Sequence, residues 1–177
     1  MSEIDTSRGR RPVLPLLFEP RAERSEKLWR RIFMYYARHA ERVWWRADLR
    51  DAVRLQLKGA KGEVTSRLIA FDPAVLRAYV DKPPVASIQV HARFPETVEY
   101  VELFAIADRV FVALHHPAIL ATMNAHQSHA VRAHVSQALR RPAQVVAETP
   151  GLRRVDLVVA SEAAAQAFPT ASRTDGG

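Results

Sequence analysis

Five of the seven histidines fall within residues 115–134, in the run HHPAILATMNAHQSHAVRAH. Imidazoles bind zinc, so the first question is whether their spacing fits a metal. On a helix, His126 and His134 are eight residues apart, about 12 Å along the axis. Two ligands at ~2.1 Å from one ion cannot span that gap. His126 and His129 stand at i and i+3 and need a third ligand from elsewhere, and the helical zinc motif, an i, i+4 pair with a Glu between, is absent. His115 and His116 close an expected strand and point to opposite faces. The run reads as a helix carrying solvated or edge-of-core imidazoles, and neither a metal nor another cofactor is expected.

Catalytic sets are equally hard to assemble. The six glycines form neither GxGxxG nor a phosphate-binding loop, and no serine sits in a GxSxG elbow. Without cysteine there is no thiolate nucleophile, no disulfide and no thiolate-held zinc. Glu96, Glu99 and Glu102 suggest a carboxylate cluster, but on an extended strand Glu99 and Glu102 face opposite ways. Asp108 is read as a turn residue. A non-enzymatic role is expected.

The residues that point to a function are basic and aromatic. In SEKLWRRIFMYYARHAERVWW, a helix over about 25–47, one side gathers Trp29, Ile32, Phe33, Tyr36, Ala40, Val43 and Trp44. The other side carries Arg24, Lys27, Arg31, Arg38, Arg42 and Arg46, with Tyr35 and Trp45 projecting among them. Cations contact phosphates and release counterions, while exposed rings stack on unpaired bases. Arg24, Lys27, Arg31, Arg38, Arg42 and Arg46 are therefore candidate phosphate contacts, and Tyr35 and Trp45 candidate stacking platforms. A solvated amphipathic face and a helix lying on an anionic membrane surface are the other readings of the same stripe.

The elements that must position this helix follow from periodicity and breakers. Residues 1–22 read as a basic, proline-rich arm whose patch VLPLLF either lies on the core or docks a partner through Leu14, Leu16, Leu17 and Phe18. Alternation around a glycine-containing turn suggests a hairpin over 52–71. A short helix follows, with Asp72 as N-cap and Pro73 at its first position. Strands are expected over 86–94 and 100–116, the latter turning near Asp108. Next come a helix over 118–140, a hairpin over 144–160 and a short helix over 161–168. Together these give an α+β class: a single domain over 23–167 with a long N-terminal helix, antiparallel strands, a second long helix packed on the sheet, and a frayed tail over 168–177.

Charge is unevenly divided. Residues 1–88 hold 18 Lys+Arg against 11 Asp+Glu, the whole net charge of +7, whereas residues 89–177 hold 8 of each. A basic half meets a polyanion, and the neutral half is left for a protein partner. The N-terminus lacks the apolar run of a secretory signal, and no stretch reaches the ~20 apolar residues of a membrane span. With no cysteine, the cytoplasm is the expected compartment.

Residues 109–148, RVFVALHHPAILATMNAHQSHAVRAHVSQALRRPAQVVAE, add a partial resemblance. The order of a strand, a long helix and a closing L..AL...G.PV.V.V pattern resembles the KH-like N-terminal domain of the replication initiator DnaA and the C-terminal domain of the clamp-loader tau subunit. Val135, Ala138, Leu139, Pro142, Val145 and Val146 occupy the matching places, and Arg141 stands where the family has Gly. The match covers 109–148 alone, and 72–94 replaces the two helices that should precede it. The resemblance implies a protein-docking platform in replication. The expected function is thus a nucleic-acid-binding accessory of the replication or plasmid-maintenance type. The alternative is an adaptor subunit of a larger assembly, such as a conjugation or secretion machine.

Overall fold

The computed structural model describes residues 13–149. In chain order it contains β1 (Leu14–Phe18), α1 (Glu23–Leu28), a π-helical turn (Trp29–Phe33), α2 (Met34–Trp45), α3 (Ala47–Ile69), α4 (Pro73–Asp81), β2 (Ile88–Ala92), α5 (Pro95–Ala113), α6 (Pro117–Thr122) and α7 (Ala125–Glu148). The described residues are mostly helical with one two-stranded antiparallel sheet, the coarse form of the α+β class. The tail over 168–177, the SRGRR arm and all but the start of the expected hairpin over 144–160 lie outside the described residues, as does the short helix over 161–168.

Helix α5 is the hub. Tyr100, Leu103, Phe104, Ala107 and Val110 are fully buried, and Val101, Phe111, Val112 and Ala113 nearly so, so it packs on several sides. Phe104 makes edge contacts with Phe18 at 6.2 Å and Trp29 at 5.1 Å, and Trp29 stacks on Phe18 at 4.3 Å and Phe33 at 3.8 Å. Such rings bury large apolar areas, which fixes the 23–45 segment against α5. α3 then lies along both α5 and α7. Its seam is Leu49, Val53, Leu57, Ala60 and Val64, steps of three or four residues that keep one helical face inward.

Three sequence expectations are corrected here. The segment 52–71, expected as a hairpin, belongs mainly to α3. Val53, Leu55 and Leu57 alternate like a strand, yet Leu55 is exposed, and the buried positions continue to Ala60 and Val64 with helical steps. The expected strands over 100–116 are α5 and its C-terminal end, because a near-continuous apolar run suits a buried helix as well as a buried strand. The single helix over 118–140 is two helices. His116 caps α6 by accepting the Ala118 N–H, and Asn124 and Gln127 form a capping box that restarts the chain as α7. α7 packs chiefly on α3, with further contacts to α2 and α5. The segments that the resemblance reads as strands, around 109–113 and 145–146, are helical in α5 and α7.

Elsewhere local chemistry decides as expected. Asp72 accepts the Ala74 N–H at 2.6 Å and Pro73 opens α4. Residues 88–92 are a strand, but their partner is β1, in the segment read as an arm: Leu14 pairs with Ala92 and Phe18 with Ile88. Pro15 is tolerated because both strands of a two-stranded sheet are edges. Pro142 lies inside α7, and one turn of α7 nearby is secured by the buried Tyr100 hydroxyl, which donates to the Leu139 carbonyl.

Ion pairs tie α3 to its neighbours. Arg54 donates to the buried Glu96 carboxylate at 2.6 Å, and Lys61 pairs with Glu102 at 2.6 Å. Glu63 receives both Arg141 of α7 and His134 Nε2, the latter at 3.2 Å. Hydrogen bonding from Arg141 is the main cause that holds the Glu63 carboxyl below the ordinary carboxylate range. A depressed carboxylate stabilises the fold above its unfolded pKa, and this contribution is lost as pH falls through the folded one. Glu63→Gln is therefore expected to lower stability at neutral pH by a few tenths to about 1 kcal/mol, since the pair is partly solvated. That difference should shrink in denaturant titrations as pH drops below about 4.

Gly59 and Gly62 sit in the interior of α3 with no heavy atom near a Cβ built on either. Gly59→Ala with Gly62→Ala should stabilise by about 1–2 kcal/mol in chemical denaturation, as expected for two helical sites. A turn using positive φ would respond with the opposite sign.

Candidate functional site

The 23–45 segment and α7 bound a basic groove. At one end, Arg24 donates from Nε and Nη2 to Ser136 Oγ at 3.2 and 3.1 Å, while Ser136 donates to the Arg132 carbonyl at 2.6 Å. The Arg24 guanidinium also lies 5.7 Å from the centre of the Phe111 ring. Beside it opens a pocket of about 560 Å³ lined by Arg24, Lys27, Lys82, His115 and Arg132, with Phe111 among its apolar walls. Glu23 is the acid in this lining, and it pairs with Lys27 at 3.5 Å. Arg132 Nε is buried and meets no hydrogen-bond acceptor among the described residues.

Like charges crowd this end. Partial burial lowers the Arg24 pKa first, and the nearby Arg132 and Arg140 lower it further. His115 is likewise pushed below its ordinary value by burial, then by Arg132 and Lys82. At neutral pH its ring is therefore neutral and offers one N–H without adding charge.

Further along, Arg31, Ile32 and Tyr35 face Arg140, Ala143, Gln144 and Ala147 across a hollow of about 390 Å³. Residue numbers rise in the same direction along both walls, from Arg24 to Tyr35 and from Arg132 to Ala147, so the two hollows follow one another between the same two elements. Tyr35 is half-buried and packs on His39 at 4.7 Å between ring centres.

The rim of the pocket is tied down. Asp108, fully buried, accepts the Arg21 N–H at 2.8 Å, the Ala22 N–H at 3.0 Å and the Tyr79 hydroxyl at 2.8 Å. The Arg21 guanidinium donates to the carbonyls of Val80, at 2.8 Å, and Lys82. These contacts fix the start of α1 and the end of α4, and so the backbones that carry Arg24 and Lys82. Burial and the Asp108 carboxylate raise the Tyr79 pKa, which keeps its hydroxyl protonated as a donor.

The expected phosphate contacts are distributed over more than one face. Arg24, Lys27, Arg31 and Tyr35 line the groove. Arg38 lines a separate hollow of about 250 Å³ beside β2, with Glu41, His91 and Arg93. Arg42 is half-buried, and Arg46 pairs with Asp48 at 2.7 Å. Trp45 is 77% exposed at the end of α2, whereas Trp44 stacks on Phe94 at 5.2 Å. Of the candidate docking patch, Leu14 and Leu17 are exposed, Leu16 is half-buried, and Phe18 belongs to the aromatic core. Sequence reasoning missed Lys82, His115, Arg132 and Arg140. The eight-residue spacing of Arg132 and Arg140 on one helix was a usable signal, but these residues lie in the half whose charges sum to zero.

Among the described residues, no group of three or more His, Asp or Glu side chains is placed to hold a metal ion, and no helix is long and apolar enough to cross a membrane. Comparison of the chain with protein-family models, with curated proteins and with solved structures returned no match of any kind.

Crowded cations cost stability when nothing neutralises them. Arg140→Gln is expected to raise the stability of the unliganded protein by roughly 0.3–0.5 kcal/mol at low salt. The gain should fade between about 50 and 200 mM salt in parallel denaturation curves as screening increases.

Proposed function

We propose that the chain is a nucleic-acid-binding accessory protein that takes strand phosphates along the groove between the 23–45 segment and α7. The observation that carries this reading is the approach of Arg24 to Arg132 and Arg140, with Arg31 and Tyr35 next along the same cleft. Cations on both walls suit a polyanion, and a half-buried tyrosine suits an unpaired base. In this reading Arg24, Lys27, Arg31, Arg132 and Arg140 contact phosphates and Tyr35 stacks. Arg38, Arg42, Arg46 and Trp45 extend the surface at its margins. The protein acts by binding, in the manner of a replication or plasmid-maintenance factor.

An adaptor role is a second reading, favoured by Leu14 and Leu17, exposed on the edge strand β1. Unpaired edges with apolar side chains are ready templates for another chain.

Fluorescence anisotropy with single- and double-stranded oligonucleotides at about 50 and 200 mM salt separates the two. Micromolar or tighter binding that falls steeply with salt is the expected result. Arg31→Ala with Arg140→Ala should flatten the slope of log K against log salt by up to about two units, one per lost phosphate contact. Tyr35→Ala should weaken single strands more than duplexes, by about 1–3 kcal/mol for one stacked base. An unchanged slope in the double variant removes the groove from the reading, and absence of binding at the lower salt favours the adaptor.

A further inference from the structure

We infer that the pocket at the Arg24 end of the groove is a phosphate-monoester site, which takes the terminal phosphate of the bound strand. This rests on the reading of the groove as a nucleic-acid track and names what stands at its end. Lys82 and His115 line the pocket but not the hollow beside Arg31, so the pocket adds a wall that the rest of the groove lacks.

The charge matches a monoester better than a diester. Among the described residues, four permanent cations, Arg24, Lys27, Lys82 and Arg132, line the pocket against one acid, Glu23, which leaves three positive charges with His115 neutral. A backbone phosphodiester carries one negative charge, whereas a terminal monoester carries about −1.5 to −2 at pH 7 and three acceptor oxygens. The donors are of matching kind: a guanidinium on each side, two ammonium groups and one imidazole N–H. The site is also held in shape before any ligand arrives, because Asp108 fixes the backbone at Arg21 and Ala22 while the Arg21 guanidinium holds the Lys82 carbonyl. A volume of about 560 Å³ exceeds what one phosphate fills and leaves room for the adjoining sugar.

The test compares one short single-stranded oligonucleotide bearing a 5′-phosphate, a 3′-phosphate or hydroxyls at both ends, measured by anisotropy. Nucleoside monophosphate is titrated separately by calorimetry. One phosphorylated end should bind about tenfold tighter than the hydroxyl form, as one set of charge-assisted hydrogen bonds allows. Lys82→Gln keeps the backbone carbonyl that Arg21 uses, and should erase most of that preference while changing the hydroxyl-ended strand by no more than about twofold. Arg31→Ala should do the reverse, weakening all three strands alike.

Equal affinity for all three oligonucleotides, with binding still salt-dependent, would overturn the terminal-phosphate assignment and leave the groove reading intact. Binding of the monophosphate without binding of any oligonucleotide would leave a free-phosphomonoester pocket and remove the track. Failure of both would remove both.

Discussion

One carboxylate with no exposed surface organises this protein. Asp108 lies on α5 among apolar residues, where an unpaired charge would cost several kcal/mol. Its oxygens are met by two consecutive backbone N–H groups, from Arg21 and Ala22, and by the Tyr79 hydroxyl. Three elements distant in sequence thus converge on one group. The chain is stopped where β1 leads into α1, α4 is drawn toward α5, and Arg21 is left positioned to reach the carbonyls at the end of α4. The stacked rings of Phe18, Trp29 and Phe33 add apolar burial to the same region, while hydrogen bonds to a fixed carboxylate are the more directional constraint. The direction in which α1 leaves, and hence where Arg24 ends up, depends on Asp108.

How much of this was legible in the sequence depends on whether the deciding contact is local. Asp72 and Pro73 announce α4 because capping and the fixed proline φ operate within three residues. The buried face of the 23–45 segment was legible for the same reason, since Trp29, Ile32, Phe33, Tyr36, Ala40 and Val43 repeat at helical spacing and are all buried. The run 52–71 was misread because Val53, Leu55 and Leu57 alternate as on a strand, while Val53 and Leu57 alone also fit a helical step. Only the contacts of α3 with α5 and α7 break that tie, and they are tertiary. Asp108 was assigned to a turn because aspartate is common there, whereas its partners lie 87, 86 and 29 residues earlier in the chain. No local pattern encodes such a meeting.

The candidate site shows the same limit in its charges. Half of it, Arg24, Lys27, Arg31 and Tyr35, follows from reading one amphipathic helix. Of the rest, Lys82 and His115 come from connecting segments, and Arg132 and Arg140 from α7, in the half of the chain whose arginines are balanced by an equal number of acids. Three of those acids are engaged elsewhere: Glu96 meets Arg54, Glu102 meets Lys61, and Asp108 is enclosed by backbone and Tyr79. Sequestering acids in the interior and along α3 leaves the α7 side of the groove more positive than a count along the sequence suggests.

The π-helical turn between α1 and α2 gives the groove a further property. Trp29–Phe33 holds one residue more than an α-helical turn would, with the Met34 N–H reaching back to the Trp29 carbonyl. Side chains before and after it are consequently set at an angle that a regular helix of the same sequence would not give them. Arg24 and Lys27 stand on one side of this joint and Tyr35 on the other. Losing a single residue within it would shorten the chain trivially, yet it would turn the two halves of the segment against each other by about 100°. The core rings and the groove could then no longer both be served by the same stretch of chain, which makes the length of this turn as much a part of the protein's design as the identity of any side chain in it.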